Sequence, residues 1–216
     1  VKLKSGQETE INAPGPKVTQ EQFQALITQI KNTTSEDTVI VAGSVPNSIP
    51  SDAYAQIAEI TKNTGAKLVV DAEKDLVDTV LPYRPLFIKP NKDELEVMFN
   101  TTVSSDHDVV KYGKEILKKG AQSVIISLGG DGAIYVDEHQ SIKAENPQGK
   151  VINTVGSGDS TVAGMVAGLE SGLSIQDAFK QAVASGTATA FEEDLATRDA
   201  IEKIKSQVTV SVLDGE

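Results

Sequence analysis

Thr38-Val-Ile-Val-Ala42, a helical stretch, and then Lys67-Leu-Val-Val-Asp71 set the architecture of this chain. Short apolar, β-branched runs of this kind read as strands buried on both faces. Between them Ser51 is expected to cap a helix reaching about Thr64. The pattern continues through Leu86 to Ile88, helices near Lys92 to Phe99 and Asp106 to Lys119, and the strand Ser123-Val-Ile-Ile-Ser127. Strands alternating with helices predict an α/β fold, a mostly parallel sheet with helices on both faces.

On the N-terminal side, Thr19 with Gln22 forms a capping box ahead of a stripe of Phe23, Leu26, Ile27 and Ile30. Val1 to Lys4 and Glu8 to Ile11 read as a hairpin around Ser5-Gly6-Gln7, closed by Ala13-Pro14-Gly15-Pro16. Residues 1–16 are thus expected to form a small β flap, and 17–216 an α/β domain. On the C-terminal side, Ala133 to Val136 and Ser141 to Ala144 predict short antiparallel strands. Helices follow at about Asp159 to Glu170, Ser174 to Ala190 and Thr197 to Ser206, then a strand at Val208 to Val212. The helix-rich end is expected to cover the sheet rather than open a new domain.

Composition narrows the function. The 216 residues carry a net charge of −11, which argues against a nucleic-acid phosphate backbone as partner. Aromatics make up 4% and tryptophan is absent, so base-stacking platforms are not expected. Without cysteine there are no disulfides or thiolate metal sites. No apolar run approaches the roughly 20 residues of a membrane span, and no signal peptide opens the chain. A cytoplasmic protein is the expectation. The chain begins at Val1, and only Arg84 and Arg198 are arginines among 20 basic residues. Both facts suggest that an N-terminal part of a longer protein is missing.

In a sheet of this type, ligands bind at the carboxyl ends of the strands. Ser44 after Gly43, Asp71, Lys89 with Asn91, Ser127 and the turn Gly156-Ser157-Gly158-Asp159 are expected to converge there. The β-type run Gly149-Lys-Val-Ile152 leads into that glycine turn, and an apolar helical pattern follows it. The N–H groups of Gly156, Ser157 and Gly158 can hold an anion at a helix N-terminus. Asp159 is then either an ordinary N-cap or the carboxylate that accepts a hydroxyl proton during phosphoryl transfer. Asn91 and Glu94 lie three apart, as a solvated helix start or as oxygen ligands holding Mg²⁺ through water. Lys89 is placed to neutralise a nucleotide phosphate. Asp71 is either a loop cap or a further carboxylate near the metal. Ser127-Leu-Gly-Gly-Asp-Gly132 is either a tight hairpin or a nucleotide-wall loop, and it lacks the Walker A spacing. Ala163, Gly164, Ala167 and Gly168 form a small-residue face for close helix packing. His107 and His139 read as solvated.

These motifs together resemble the ribokinase-like (PfkB) carbohydrate kinases. Asn153-Thr-Val-Gly-Ser-Gly-Asp-Ser160 resembles their C-terminal signature, and Lys89-Pro-Asn91 with Glu94 their Asn-x-x-Glu magnesium motif. Ser127 to Gly132 resembles their nucleotide loop, and Gly43-Ser-Val-Pro46 their sugar-side segment. Glu8 to Pro16 resembles the branch that acts on sugar phosphates, which includes 1-phosphofructokinases and tagatose-6-phosphate kinases. The resemblance implies a three-layer fold and ATP-dependent phosphorylation of fructose 1-phosphate to fructose 1,6-bisphosphate. Asp159 would be the base and Gly156, Ser157 and Gly158 the anion hole. Lys89, Ser127, Gly129 and Gly132 would face ATP; Asn91, Glu94 and Asp71 would organise Mg²⁺; Gly43, Ser44 and Asn12 would face the sugar phosphate. Tagatose 6-phosphate or another acceptor is the alternative, as is a non-catalytic nucleotide-binding or regulatory module. A homodimer built through the flap is a further implication for the longer protein. Two departures stand out. Asn153 replaces the usual aspartate, at a position that supports a monovalent cation site, and the family's Gly-Gly-Lys-Gly-x-Asn motif does not occur. Little or no kinase activity is therefore expected of this chain alone.

Overall fold

The computed structural model describes residues 15–213. The expected flap, including Asn12, lies outside the described residues.

Among the described residues, seven strands form one sheet in the order β1 to β7: β1 Thr38–Ala42, β2 Lys67–Asp71, β3 Phe87–Ile88, β4 Ser123–Ser127, β5 Ala133–Asp137, β6 Ser141–Glu145 and β7 Thr209–Val212. β1 to β4 pair in parallel, and β4 to β7 continue as an antiparallel meander. The parallel half is the alternating part of the sequence; the meander comes from the hairpin-like runs after Ser127. The helices are α1 Gln20–Lys31, α2 Ala53–Thr64, α3 Lys74–Val80, α4 Lys92–Phe99, α5 Asp106–Lys119, α6 Ser157–Glu170, α7 Ile175–Ala190 and α8 Arg198–Lys205.

Strand side chains alternate between two cores. Leu68, Val70, Ile88, Val124, Ile126, Ile134 and Val136 pack with α1 to α5 on one face. Val69, Phe87, Ile125, Tyr135, Ile142 and Ala144 pack with α6 to α8 on the other. This two-sided burial is why the central strands are apolar at consecutive interior positions. Each fully buried aliphatic side chain contributes on the order of 2 kcal/mol.

The capping box at Thr19 and Gln22 forms as expected, and Phe23, Ile27 and Ile30 are buried, whereas Leu26 is 44% exposed. Three readings change. The N-cap of α2 is Asp52 rather than Ser51, and it makes no side-chain cap bond. α3 was not anticipated. Gly149 to Ile152 is no strand: Ile152 N–H donates to the Ala190 carbonyl at the end of α7 (2.8 Å), so its backbone pairs with a helix terminus instead of a ladder.

α6 and α7 pack backbone to backbone. A Cβ at Gly164 would sit 2.9 Å from Ala182 Cα, and one at Gly168 would sit 2.8 Å from Ala178 Cα. The small-residue face therefore consists of Gly164 and Gly168; Ala163 and Ala167 point to solvent. This contact fixes where α6 begins, and so where its first turn points.

Candidate functional site

The carboxyl ends of β1 to β4 are stitched together by backbone bonds. Gly43 N–H donates to the Asp71 carbonyl (2.9 Å), Lys89 N–H to Val70 (3.2 Å) and Ser127 N–H to Pro90 (3.0 Å). Asn91 and Ser127 form a further parallel bridge. The polar residues that follow each strand are thereby held along one edge.

α6 starts against that edge. Its N-cap is Gly156, at φ 81, a left-handed conformation that glycine adopts without strain. Glycine offers no side chain to cap the first turn, unlike the residues capping α1, α4, α5, α7 and α8. Ser157 N–H is donated to the Thr154 carbonyl (3.1 Å), so it is committed to the turn. The N–H groups of Gly158 and Asp159 follow it, in a first turn without intrahelical acceptors. Asp159 is the third residue of the helix and is exposed, which removes the N-cap reading. Ser157 Oγ is buried without a hydrogen-bond partner.

Gly158 joins two parts of the site. On one side lies a cavity of about 640 Å³ lined by Asn91, Ser127, Gly129, Gly132, Ser157 and Gly158, with Val151, Val183 and Ala190 as apolar wall. On the other side lies a charged cluster. A Cβ at Gly158 would be 3.2 Å from Lys89 Nζ and 4.0 Å from Asp71 Oδ2, so any larger residue there would press the ammonium away by a few tenths of an ångström. Lys89 Nζ pairs with Asp71 Oδ1 at 3.3 Å, with the two side chains 8% and 18% exposed. Burial raises the Asp71 pKa above the ordinary carboxylate value; Lys89 opposes this, while Glu94 and Asp159 add to it.

Asn91 caps α4 in a reciprocal box: Glu94 N–H donates to Asn91 Oδ1, and Asn91 N–H donates to Glu94 Oε2, both at 2.8 Å. The two side chains face each other's backbone. Among the described residues, no three or more His, Cys, Asp or Glu side chains form a group able to hold a metal by themselves. Gly43 and Ser44 stand exposed at the end of β1 and do not line the cavity.

The glycine loop after β4 folds as one helical turn, Gly129–Asp131, before β5. Gly132 has φ 93, and a Cβ there would lie 1.9 Å from the Ala144 carbonyl oxygen. The loop thus lies against the end of β6, with Leu128 N–H donating to the Gly132 carbonyl (2.8 Å).

Two site residues escaped the sequence reading. Tyr54 Oη donates to the Gly43 carbonyl (3.0 Å), and its pKa is raised by burial and by Asp71 nearby. Asn146 lines the cavity wall opposite α6. Neither carries a local motif, because each acts on a partner distant in sequence. Asn153 ties the turn to the following loop: Val155 N–H donates to its Oδ1 (3.1 Å), and its Nδ2 donates to the Glu193 carbonyl (3.1 Å).

Comparison with known proteins agrees with this arrangement. Residues 1–201 match the model of the pfkB family carbohydrate kinases. The chain is 41% identical over 213 residues to a 1-phosphofructokinase of Bacillus subtilis (strain 168), covering 99% of this chain and 70% of that protein. It is 34% identical to a D-tagatose-1-phosphate kinase of Bacillus licheniformis, covering 98% of this chain and 70% of the relative. Among solved structures, a candidate phosphofructokinase from Staphylococcus aureus superposes with a TM-score of 0.91 at 80% identity, over 98% of this chain and 69% of the other. Fold, glycine turn and family match agree: the chain belongs to the pfkB family of carbohydrate kinases, phosphotransferases with an alcohol acceptor.

Proposed function

We propose that this chain carries the nucleotide-binding and phosphoryl-transfer machinery of an ATP-dependent sugar-phosphate kinase that converts fructose 1-phosphate to fructose 1,6-bisphosphate. One observation carries the reading: Gly158 borders both the cavity and the Lys89–Asp71 pair, at the uncapped start of α6.

The cavity falls in the size range of small-molecule sites. Its apolar wall of Val151, Val183 and Ala190 suits a purine, and its glycine loop leaves room for phosphates. The first turn of α6 and the Lys89 ammonium supply positive potential where charge develops on the transferring group. The acceptor hydroxyl gives its proton to Asp159 as the new P–O bond forms and the bond to the leaving ADP oxygen breaks. Because Ser157 N–H is committed to the turn, the anion hole is built chiefly from Gly158 and the peptide that follows it.

Asn91 and Glu94 are the residues that would hold Mg²⁺. Each already spends one oxygen on the capping box, which suits ligation through water better than a closed protein cage. When bound, the ion neutralises charge on the phosphates. Asn153 donates through its amide to the Glu193 carbonyl and, unlike an aspartate, brings no charge to hold a monovalent cation; turnover with and without potassium tests whether one is used.

Fructose 1-phosphate is preferred as acceptor because a 1-phosphofructokinase is the 41% identical relative, whereas the tagatose-phosphate relative is at 34%. Rates with fructose 1-phosphate, fructose 6-phosphate and tagatose phosphates separate the acceptors. In the protein that carries this chain, Asp159→Asn should lower turnover by about 10²–10⁴-fold while ATP affinity stays within threefold. Near-normal turnover of that variant would overturn the base assignment. ATP binding without transfer by the unaltered protein would instead identify a nucleotide-binding module.

A further inference from the structure

The two walls of the cavity come from distant parts of the chain. One is the loop Gly129 to Gly132, which leaves β4; the other is α7, with Val183, Gly186 and Thr187 facing inward. A single side chain joins them. Asn146, the residue after β6, donates from Nδ2 to the Gly129 carbonyl (3.0 Å) and accepts at Oδ1 from Thr187 Oγ1 (2.8 Å). The amide orientation follows from chemistry, because a carbonyl only accepts and so must face the NH₂.

Each end of this bridge is fixed differently. Thr187 is 5% exposed and so is fixed inside α7; its one hydroxyl proton is shared between two acceptors at 2.8 Å, Asn146 Oδ1 and the Val183 carbonyl. Gly129, at φ 61, belongs to an exposed glycine-rich turn that is closed at its base by Leu128 N–H to the Gly132 carbonyl (2.8 Å) and held inside only by longer bonds, Asp131 N–H to Leu128 (3.3 Å) and Gly132 N–H to Gly129 (3.2 Å). Such a turn has wide conformational freedom and little side-chain packing to hold it. Asn146 thus ties an exposed glycine turn to a buried face of α7. It also lines a second, smaller cavity of about 300 Å³, as do Leu128 and Gly130 of the loop.

We propose that Asn146 is a positioning residue for the nucleotide: it sets the separation between the Gly129–Gly132 loop and α7, and so preorganises the cavity. The proposal rests on the nucleotide reading of that cavity. Removing the bridge leaves the loop to be ordered by the ligand, at a cost drawn from binding.

The test is ATP affinity measured by calorimetry for the unaltered chain and for Asn146→Ala, Thr187→Val and Thr187→Ser. Asn146→Ala should weaken ATP by about tenfold, and Thr187→Val, which keeps the shape and loses the hydroxyl, by about threefold. Thr187→Ser restores the donor and should bind as the unaltered chain does. The double variant Asn146→Ala/Thr187→Val should be no weaker than Asn146→Ala alone, because both act through one bridge. Amide hydrogen exchange should quicken at residues 128–132 in Asn146→Ala and stay unchanged in α6. If Asn146→Ala does not fold, the Thr187 pair decides. Binding within twofold of the unaltered chain for both Asn146→Ala and Thr187→Val overturns the proposal, even if melting temperature falls. Failure of the unaltered chain to bind ATP overturns the nucleotide reading itself, and the positioning role with it.

Discussion

Replacing Lys89 by methionine keeps most of its volume and removes the cation beside Asp71. At the observed 3.3 Å, two unit charges attract by about 5 kcal/mol with an effective dielectric of 20, most of it offset by the desolvation of both groups. The cost of truncation is different, because it strands the partner. Removing one member of a fully buried pair costs about 3–5 kcal/mol. Asp71 keeps 18% exposure, so about 2–3 kcal/mol is expected here. The loss should depend on pH. A carboxyl whose folded pKa lies above its unfolded value binds more protons when folded. Its contribution to stability is greatest at low pH and is lost as pH rises through the folded value. Asp71 already behaves this way through burial, with Glu94 and Asp159 reinforcing it. Without Lys89 the only opposing influence disappears and the folded value climbs further. Urea unfolding at a series of pH values between 5 and 8 is the assay. The deficit of Lys89→Met should be full at pH 8 and shrink toward pH 5, by up to about 1.4 kcal/mol per pH unit. The denaturant slope should stay unchanged. In Lys89→Met/Asp71→Asn, most of the deficit and its pH dependence should vanish. A deficit below about 0.5 kcal/mol at pH 8, or one equal at pH 5 and pH 8, would refute the reasoning.

Three further outcomes are accessible by unfolding measurements. Ser157→Ala removes a buried hydroxyl that has no partner, so stability should be unchanged or rise by about 1 kcal/mol; a loss larger than that would mean the hydroxyl is satisfied. Gly132→Ala meets a left-handed φ of 93 and the Ala144 oxygen at 1.9 Å, and should cost about 3 kcal/mol; a cost under 1 kcal/mol by denaturant titration would contradict the close approach. Asp108 is held at about 2 by N–H donation from Ser104, then by the hydroxyls of Ser105 and Ser104. Its stabilisation of the start of α5 should be present above the ordinary carboxylate value and lost as pH falls toward about 2. Asp108→Asn should therefore flatten the acid limb of the stability curve, and an unchanged limb would exclude that role.

Much of the fold was legible because period and burial coincide. The central strands are apolar at consecutive positions since both faces are covered, and α4 and α5 have the bounds expected for them. α3 was missed because seven residues give barely two turns of pattern, and its N-cap Glu73 makes no side-chain cap bond. Gly149 to Ile152 deceived in the opposite sense: two apolar residues suggested a strand, but a short run takes whatever backbone partner lies nearest, here the end of α7. In the site, residues adjacent to glycine turns or strand ends could be picked out, as Lys89, Asn91, Ser127 and Gly158 were. Tyr54 and Asn146 could not, because hydrogen bonds to Gly43 and Gly129 span the sheet edge rather than the sequence.

The charged cluster explains why these particular residues are kept together. The first turn of α6 is electropositive at its end, and the Lys89 ammonium lies against the same turn, so two positive features face each other. Lysine is flexible and strongly hydrated, and left alone it would swing to solvent. Asp71 prevents this by holding the ammonium from below, and glycine at 158 makes the approach sterically free. The arrangement confines positive potential to a spot between helix start and ammonium, beside a cavity, with the Asp159 carboxylate on the adjoining turn. An anion with several oxygens would relieve the repulsion, and under the proposed function the Asp159 carboxylate is the acceptor for the proton of a hydroxyl bound beside it. Asp71 bears a raised pKa as the consequence of that aim: burial of the pair pushes its pKa up, and the lysine it holds opposes that rise.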